Sequence, residues 1–159
     1  MTPPGGSVRR ARESDLDDLT RLWKEIAAHH APLDPVFALR PDAGGAIRRM
    51  LAAQLADDDA AVFVWEEAAQ VVALCTVRID QAPPIQVETR RAEICDIGVA
   101  ATARRRGVGR ALARTASDWA RKRGIARIEV RVAVGNREGQ TFWRCLGYGD
   151  LLDVMHRRL

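Results

Sequence analysis

Hydrophobic positions along the 159-residue chain alternate between two periods, and each change of period marks an element. Leu16, Leu19, Trp23 and Ile26 recur at helical spacing behind Ser14-Asp15-Leu16-Asp17, an N-cap pattern that predicts a helix over residues 15–29. Pro32, Pro35 and Pro41 break the next stretch into a loop. Ile47, Met50, Leu51 and Leu55 share one face of a second helix over residues 45–56. Two strand-like runs, 61–65 and 71–77, flank a hairpin turn at 66–70. In a third run, 92–99, alternation puts Glu93, Cys95, Ile97 and Val99 on one face and Ala92, Ile94, Asp96 and Gly98 on the other.

After Gly107 the period returns to 3.6, with Val108, Leu112, Ala116 and Trp119 on one stripe of a helix that stops at Gly124. Residues 125–134 alternate again, residues 137–146 form a short helix ending at Gly147, and 152–158 read as a last strand. With a short strand at 8–11, the order is β-α-α-β-β-β-α-β-α-β. That is an α/β (mixed α+β) fold with a mixed central sheet and helices on both faces. Residues 1–7 are expected to be a flexible tail and 8–159 one domain.

Composition narrows the function classes. The chain is 47% hydrophobic and 29% charged, the balance of a soluble globular domain, and no apolar run reaches the length of a membrane span. The first residues carry no secretory pattern, so a cytoplasmic protein is expected. The net charge is +4, and all basic residues but Lys24 and Lys122 are arginine, which suits a small anionic ligand without calling for nucleic acid. Cys75, Cys95 and Cys145 have no CxxC spacing and His29, His30 and His156 complete no zinc template, so no metal is expected and the thiols read as buried and free.

The most informative segment is Arg104-Arg105-Arg106-Gly107-Val108-Gly109-Arg110, between a strand and a helix. Glycines there allow close backbone approach, a helix start offers unpaired N–H groups, and arginines add bidentate donors. A pyrophosphate fits that arrangement; a solvated basic turn uses the same residues. The GxGxxG pattern fails at Leu112, and GxxxxGK[ST] is absent.

Arg104-x-x-Gly107-x-Gly109 resembles the acetyl-CoA pyrophosphate loop, Q/R-x-x-G-x-G/A, of the GNAT superfamily of N-acetyltransferases. Residues 92–99 resemble that family's fourth strand. Asn136-Arg137-Glu138-Gly139-Gln140-Thr141-Phe142-Trp143 with Leu146-Gly147-Tyr148 resembles its N-x-x-A-x-x-F-Y…L-G-F/Y segment.

The resemblance implies a fourth and fifth strand that splay apart, with the pantetheine arm of acetyl-CoA in the gap against Ile97, Gly98 and Val99. A glycine inside a strand suits a bulge, here expected at Gly98, and an N–H from Ile97 or Val99 would polarise the thioester. Backbone amides of the loop through Arg106, Val108 and Arg110 would hold the pyrophosphate, with Arg104 and Arg105 as side-chain donors and Arg106 solvated. Asn136 would contact the cofactor arm or cap a helix. Glu93 is the first candidate general base and Asp96, on the opposite face, the second. Trp143 stands where many members carry an acidic tyrosine, and an indole N–H delivers no proton; Tyr148 reads as a packing aromatic. Asp34 and Phe37 are candidates for the acceptor wall, whereas the adjacent His29 and His30 would diverge on a helix and form no dyad.

The resemblance thus implies direct transfer of acetyl from acetyl-CoA to a primary amine in a ternary complex, without metal, nucleic acid or membrane, in a chain whose sheet edges suit a homodimer. A catalytically weak or non-catalytic acyl-CoA-binding module is the alternative that Trp143 favours. An arginine-dependent nucleic-acid binder has only one basic triplet in its support, and a pure interaction partner has no positive feature.

Overall fold

The computed structural model describes residues 5–159. Five strands lie in the order β1-β2-β3-β4-β5: β1 (Gly6–Arg10), β2 (Ala60–Glu67), β3 (Gln70–Gln81), β4 (Arg90–Val99) and β5 (Ile128–Val130). The first four pair antiparallel and β4 pairs β5 parallel. Four helices complete the fold: α1 (Leu16–His30), α2 (Gly44–Ala56), α3 (Val108–Lys122) and α4 (Arg137–Cys145). The mixed α/β architecture expected from the hydrophobic periods is the one observed.

The sheet separates two cores. On one face Leu16, Leu19, Leu22, Ile47 and Leu51 of α1 and α2 pack on Val62, Val64, Val71 and Leu74. On the other, Val108, Leu112, Ala116 and Trp119 of α3 meet Phe63, Cys75, Val77 and Ile94 of the sheet, and Trp143 of α4 closes the layer. Parallel pairing of β4 with β5 requires a crossover connection, and α3 supplies it.

Several expected features differ. Of the expected tail, residues 1–4 lie outside the described residues, and Gly6 and Ser7 already pair with Glu67 and Glu66 in β1. Ser14 caps nothing: Asp15 stands at the N-cap, and its carboxylate binds the Arg9 guanidinium and the Arg12 amide. The fifth strand shrinks from ten expected residues to Ile128–Val130, and Val134 is exposed. Residues 152–158 form no strand, and Leu152, Val154 and Met155 lie exposed. Cys75 is buried as expected, but Cys95 is only half-buried and Cys145 is exposed. Among the described residues, no helix is long and apolar enough to cross a membrane.

Candidate active site

The parallel pairing of β4 with β5 stops after Ile94↔Val130, while β4 runs on to Val99 beside β3. The two strands therefore part, and a cleft of about 1200 Å³ opens between residues 95–99 on one side and 130–132 on the other. Ala100 donates its amide to Val72 across the β3 side. By strand alternation the amides of Ile97 and Val99 point the other way, into the gap. Backbone donors without a ladder partner thus face the cleft, as the resemblance implied.

The irregularity in β4 lies elsewhere than expected. Thr76 pairs with Asp96 and Val77 with Ile94, so Cys95 is the extra residue of a bulge. Gly98 is regular strand, and its reason is steric: a Cβ there would come within 2.4 Å of the Ile26 side chain. The bulge also reverses the expected faces. Ile94 and Ile97 both join the α3-side core, which leaves Glu93 and Asp96 together on the α1 side. Their environments differ. Glu93 is 6% exposed and held by Arg78 at 2.9 Å and Arg131 at 3.2 Å, and it does not border the cleft. Asp96 does border it, anchored through one oxygen by the Thr76 hydroxyl at 2.8 Å. Of the two, Asp96, ranked second by alternation, is the one that borders the cleft.

At the C-terminal end of β4 the chain turns into the arginine-glycine loop. Arg105 and Gly107 take positive φ, +60° and +82°, and the Arg104 Nε donates to the Val99 carbonyl at 2.9 Å. Left-handed φ at alternate residues turns the intervening amides toward one point, and the first amides of α3 have no acceptor within the helix. Arg104, Arg105, Gly107, Val108, Gly109 and Arg110 border the cleft. Arg106 does not, and it is not simply solvated: it clamps Glu67 through both carboxylate oxygens, at 3.1 and 2.9 Å, tying the loop to the β2–β3 hairpin. A methyl at Gly109 would make only ordinary contact, at 3.4 Å, with Phe142, so that position needs a small residue and not a glycine.

α4 closes the far side. Asn136 caps it, accepting the Gly139 amide at 2.9 Å, and turns its Nδ2 toward His30 Nε2 at 3.4 Å. Asn136 also borders the cleft, so the cap and the ligand-facing position coexist. Trp143 is 5% exposed, wedged edge-on between Phe142 and Tyr148, with ring centroids 4.9 Å from each. Tyr148 packs as expected, and burial pushes its hydroxyl above the usual range. Cys95 borders the cleft, and burial pushes its thiol up to about 11, away from the thiolate form.

The other end of the cleft belongs to α1 and to a 3-10 turn, Pro35–Phe37. Phe37 stands there, as anticipated. Asp34 does not border the cleft; its carboxylate accepts the Val36 amide at 2.8 Å and caps the turn. His30, which the sequence set aside as forming no dyad with His29, borders the cleft. Its Nδ1 lies 2.8 Å from the Ile26 carbonyl and must donate to it, which leaves Nε2 as the lone-pair nitrogen on the Asn136 side. Adjacency to His29 concealed this, because only the meeting of the end of α1 with the α4 cap gives His30 its direction. Among the described residues no cluster of His, Cys, Asp and Glu is suited to a metal ion.

The sequence model of the Acetyltransferase (GNAT) family matches residues 17–148. A search of curated proteins found no match. Among solved structures, a tetramutant of the BH1408 protein from Bacillus halodurans aligns at 20% identity and TM-score 0.85, covering 96% of this chain and 99% of that one. A predicted acetyltransferase from Clostridium acetobutylicum, crystallised with acetyl-CoA, aligns at 18% identity and TM-score 0.80, covering 96% of each chain. The aminoglycoside 6'-N-acetyltransferase AAC(6')-IG from Acinetobacter haemolyticus aligns at 21% and TM-score 0.77, covering 96% of this chain and 97% of its own.

Proposed function

The chain belongs to the GNAT family of acetyltransferases, and from that premise we propose that it moves an acetyl group from acetyl-CoA to a primary amine by direct attack in a ternary complex. The observation that carries this reading is the gap between β4 and β5. A strand with amides free of the ladder runs straight into a left-handed loop at the start of a fifteen-residue helix. The residues present fit the cofactor: a diphosphate suits the amides of residues 105–110, and an extended amide-bearing arm suits the edge of β4.

Bound acetyl-CoA supplies the thioester that serves as acyl donor. The Ile97 or Val99 amide donates to the thioester oxygen as negative charge builds there. Asp96 is placed to orient an ammonium through its carboxylate, and the Nε2 lone pair of His30 accepts the proton the amine must lose, directly or through a water. Glu93, expected at first as the base, acts instead through the Arg78–Glu93–Arg131 cluster that fixes the root of the gap. Trp143 provides packing and no acid; an alkyl thiol with a pKa of about 8.5 leaves without one.

Calorimetric titration with acetyl-CoA, CoA and dephospho-CoA tests the reading. Micromolar binding is expected in the wild type, and its absence from the folded protein would overturn the reading. The second reading, an acyl-CoA-binding module without turnover, is favoured by the buried Trp143 alone. It predicts binding with no acetylated product from any amine.

A further inference from the structure

α1 carries two stripes. Leu16, Leu19 and Leu22 are buried against the sheet, whereas Trp23, Ile26 and His30, spaced by three and four residues, border the cleft. Across from them the 3-10 turn and the residue after next present Val36, Phe37 and Leu39, which are 66%, 37% and 42% exposed. The His30 and Phe37 rings meet edge-on at 5.8 Å. Trp23 and Ile26 also pack against the α1 core, so the wall reaches from the core edge to the exposed Val36, Phe37 and Leu39, a concave surface suited to an apolar body.

The charges around this wall are few and mostly committed. Asp34 caps its turn, Glu25 pairs with Arg21 at 3.0 Å, and Glu93 is locked between two arginines. Glu138, at the loop end, faces Arg105. Asp96 is the cleft carboxylate with no guanidinium partner among the described ion pairs, and Arg104, Arg105, Arg110, Arg131 and Arg137 line the same cleft. With acetyl-CoA bound the loop arginines face its phosphates, so a ligand carrying several ammonium groups would pair one of them with Asp96 and leave its remaining charges unpaired.

Resting on the acetyltransferase reading, we infer that the acceptor is a monoamine carried on an aromatic or aliphatic body, its ammonium at Asp96 and its body against Trp23, Ile26 and the edge-paired rings of His30 and Phe37. Polycations such as aminoglycosides and polyamines are excluded by the same charges. An aromatic wall contributes through apolar burial and through the attraction of ring faces for an ammonium.

The test uses the full chain with acetyl-CoA, and 2-phenylethylamine, cyclohexylmethylamine, kanamycin and spermidine as acceptors. Product is followed by chromatography, because the exposed Cys145 would consume a thiol reagent. The two monoamines should exceed both polycations in kcat/KM by at least about tenfold. Phe37→Ala should raise the phenylethylamine KM by about tenfold while the acetyl-CoA affinity stays put, and Phe37→Asp should move preference toward spermidine. Preference of the wild type for kanamycin or spermidine would overturn the inference. So would a phenylethylamine that is neither acetylated nor bound, at millimolar concentration in calorimetry, by protein that does bind acetyl-CoA; the acetyltransferase reading would survive that result. Failure to bind acetyl-CoA would remove both.

Discussion

At the loop end the cleft is lined mainly by main-chain amides of Arg105, Gly107, Val108, Gly109 and Arg110 and of Ile97 and Val99. At the α1 end it is lined by side chains: Trp23, Ile26, His30, Phe37 and Asp96. The first set comes from one short stretch of chain, and its chemistry is the same whatever side chains it carries, provided the backbone adopts left-handed φ at Arg105 and Gly107. The second set is gathered from α1, a 3-10 turn and β4, where chemistry follows the identity of each side chain. A site made of backbone geometry keeps its chemistry when its side chains change; a site made of side chains changes its preference with each exchange.

The comparison breaks most sharply at Gly107. Gly107→Glu forces a side chain onto φ +82° and sets a carboxylate among the amides, so acetyl-CoA affinity should fall by roughly a hundredfold or more in calorimetry. At the other end, Asp96→Asn keeps the Thr76 contact but removes the charge that meets the ammonium, and KM for a monoamine should rise by about tenfold or more with acetyl-CoA affinity unchanged. A matching fall in cofactor affinity would show that the two ends are not separable. Glu93→Gln should cost about 1–2 kcal/mol of stability in a denaturant titration, because two guanidinium groups lose a buried partner, while kcat changes less than about threefold. A loss of kcat of about a hundredfold would make Glu93 the base. Smallest of all, Trp143→Tyr should keep or slightly raise turnover; a complete loss would give the indole a role in shaping the acceptor end.

What could be read from the sequence follows the same division. The helices and the loop are local: the stripe Val108, Leu112, Ala116, Trp119 and the glycines around it require only neighbours in the chain, and the observed α3 begins at Val108 and ends before Gly124. The splaying of β4 from β5 came from the family resemblance and is present. The bulge was misplaced because Cys95 has no backbone peculiarity to announce it, whereas Gly98 suggested one while answering to Ile26 on another element. That single shift put Glu93 and Asp96 on opposite faces in the sequence reading. Arg106 looked solvated because its partner, Glu67, lies 39 residues away. The strand expected at 152–158 has a suitable pattern but no neighbour to pair with, since β5 ends at Val130 and the residues after it diverge.

The three residue pairs that join β5 to β4 have a consequence for motion. A strand this short at the edge of a sheet sits near the low end of local stability, so its opening is a sub-global event that leaves the β2–β3–β4 body intact. Val130, Arg131 and Val132 lead from it along the cleft wall. A ligand bridging that wall and β4 is therefore released by any such opening, and at a hundred times its dissociation constant it suppresses the opening by about 2.7 kcal/mol. The most weakly held strand of the sheet is in this way the one that cleft occupancy makes rigid, and its fraying sets an upper bound on how long a product can stay trapped.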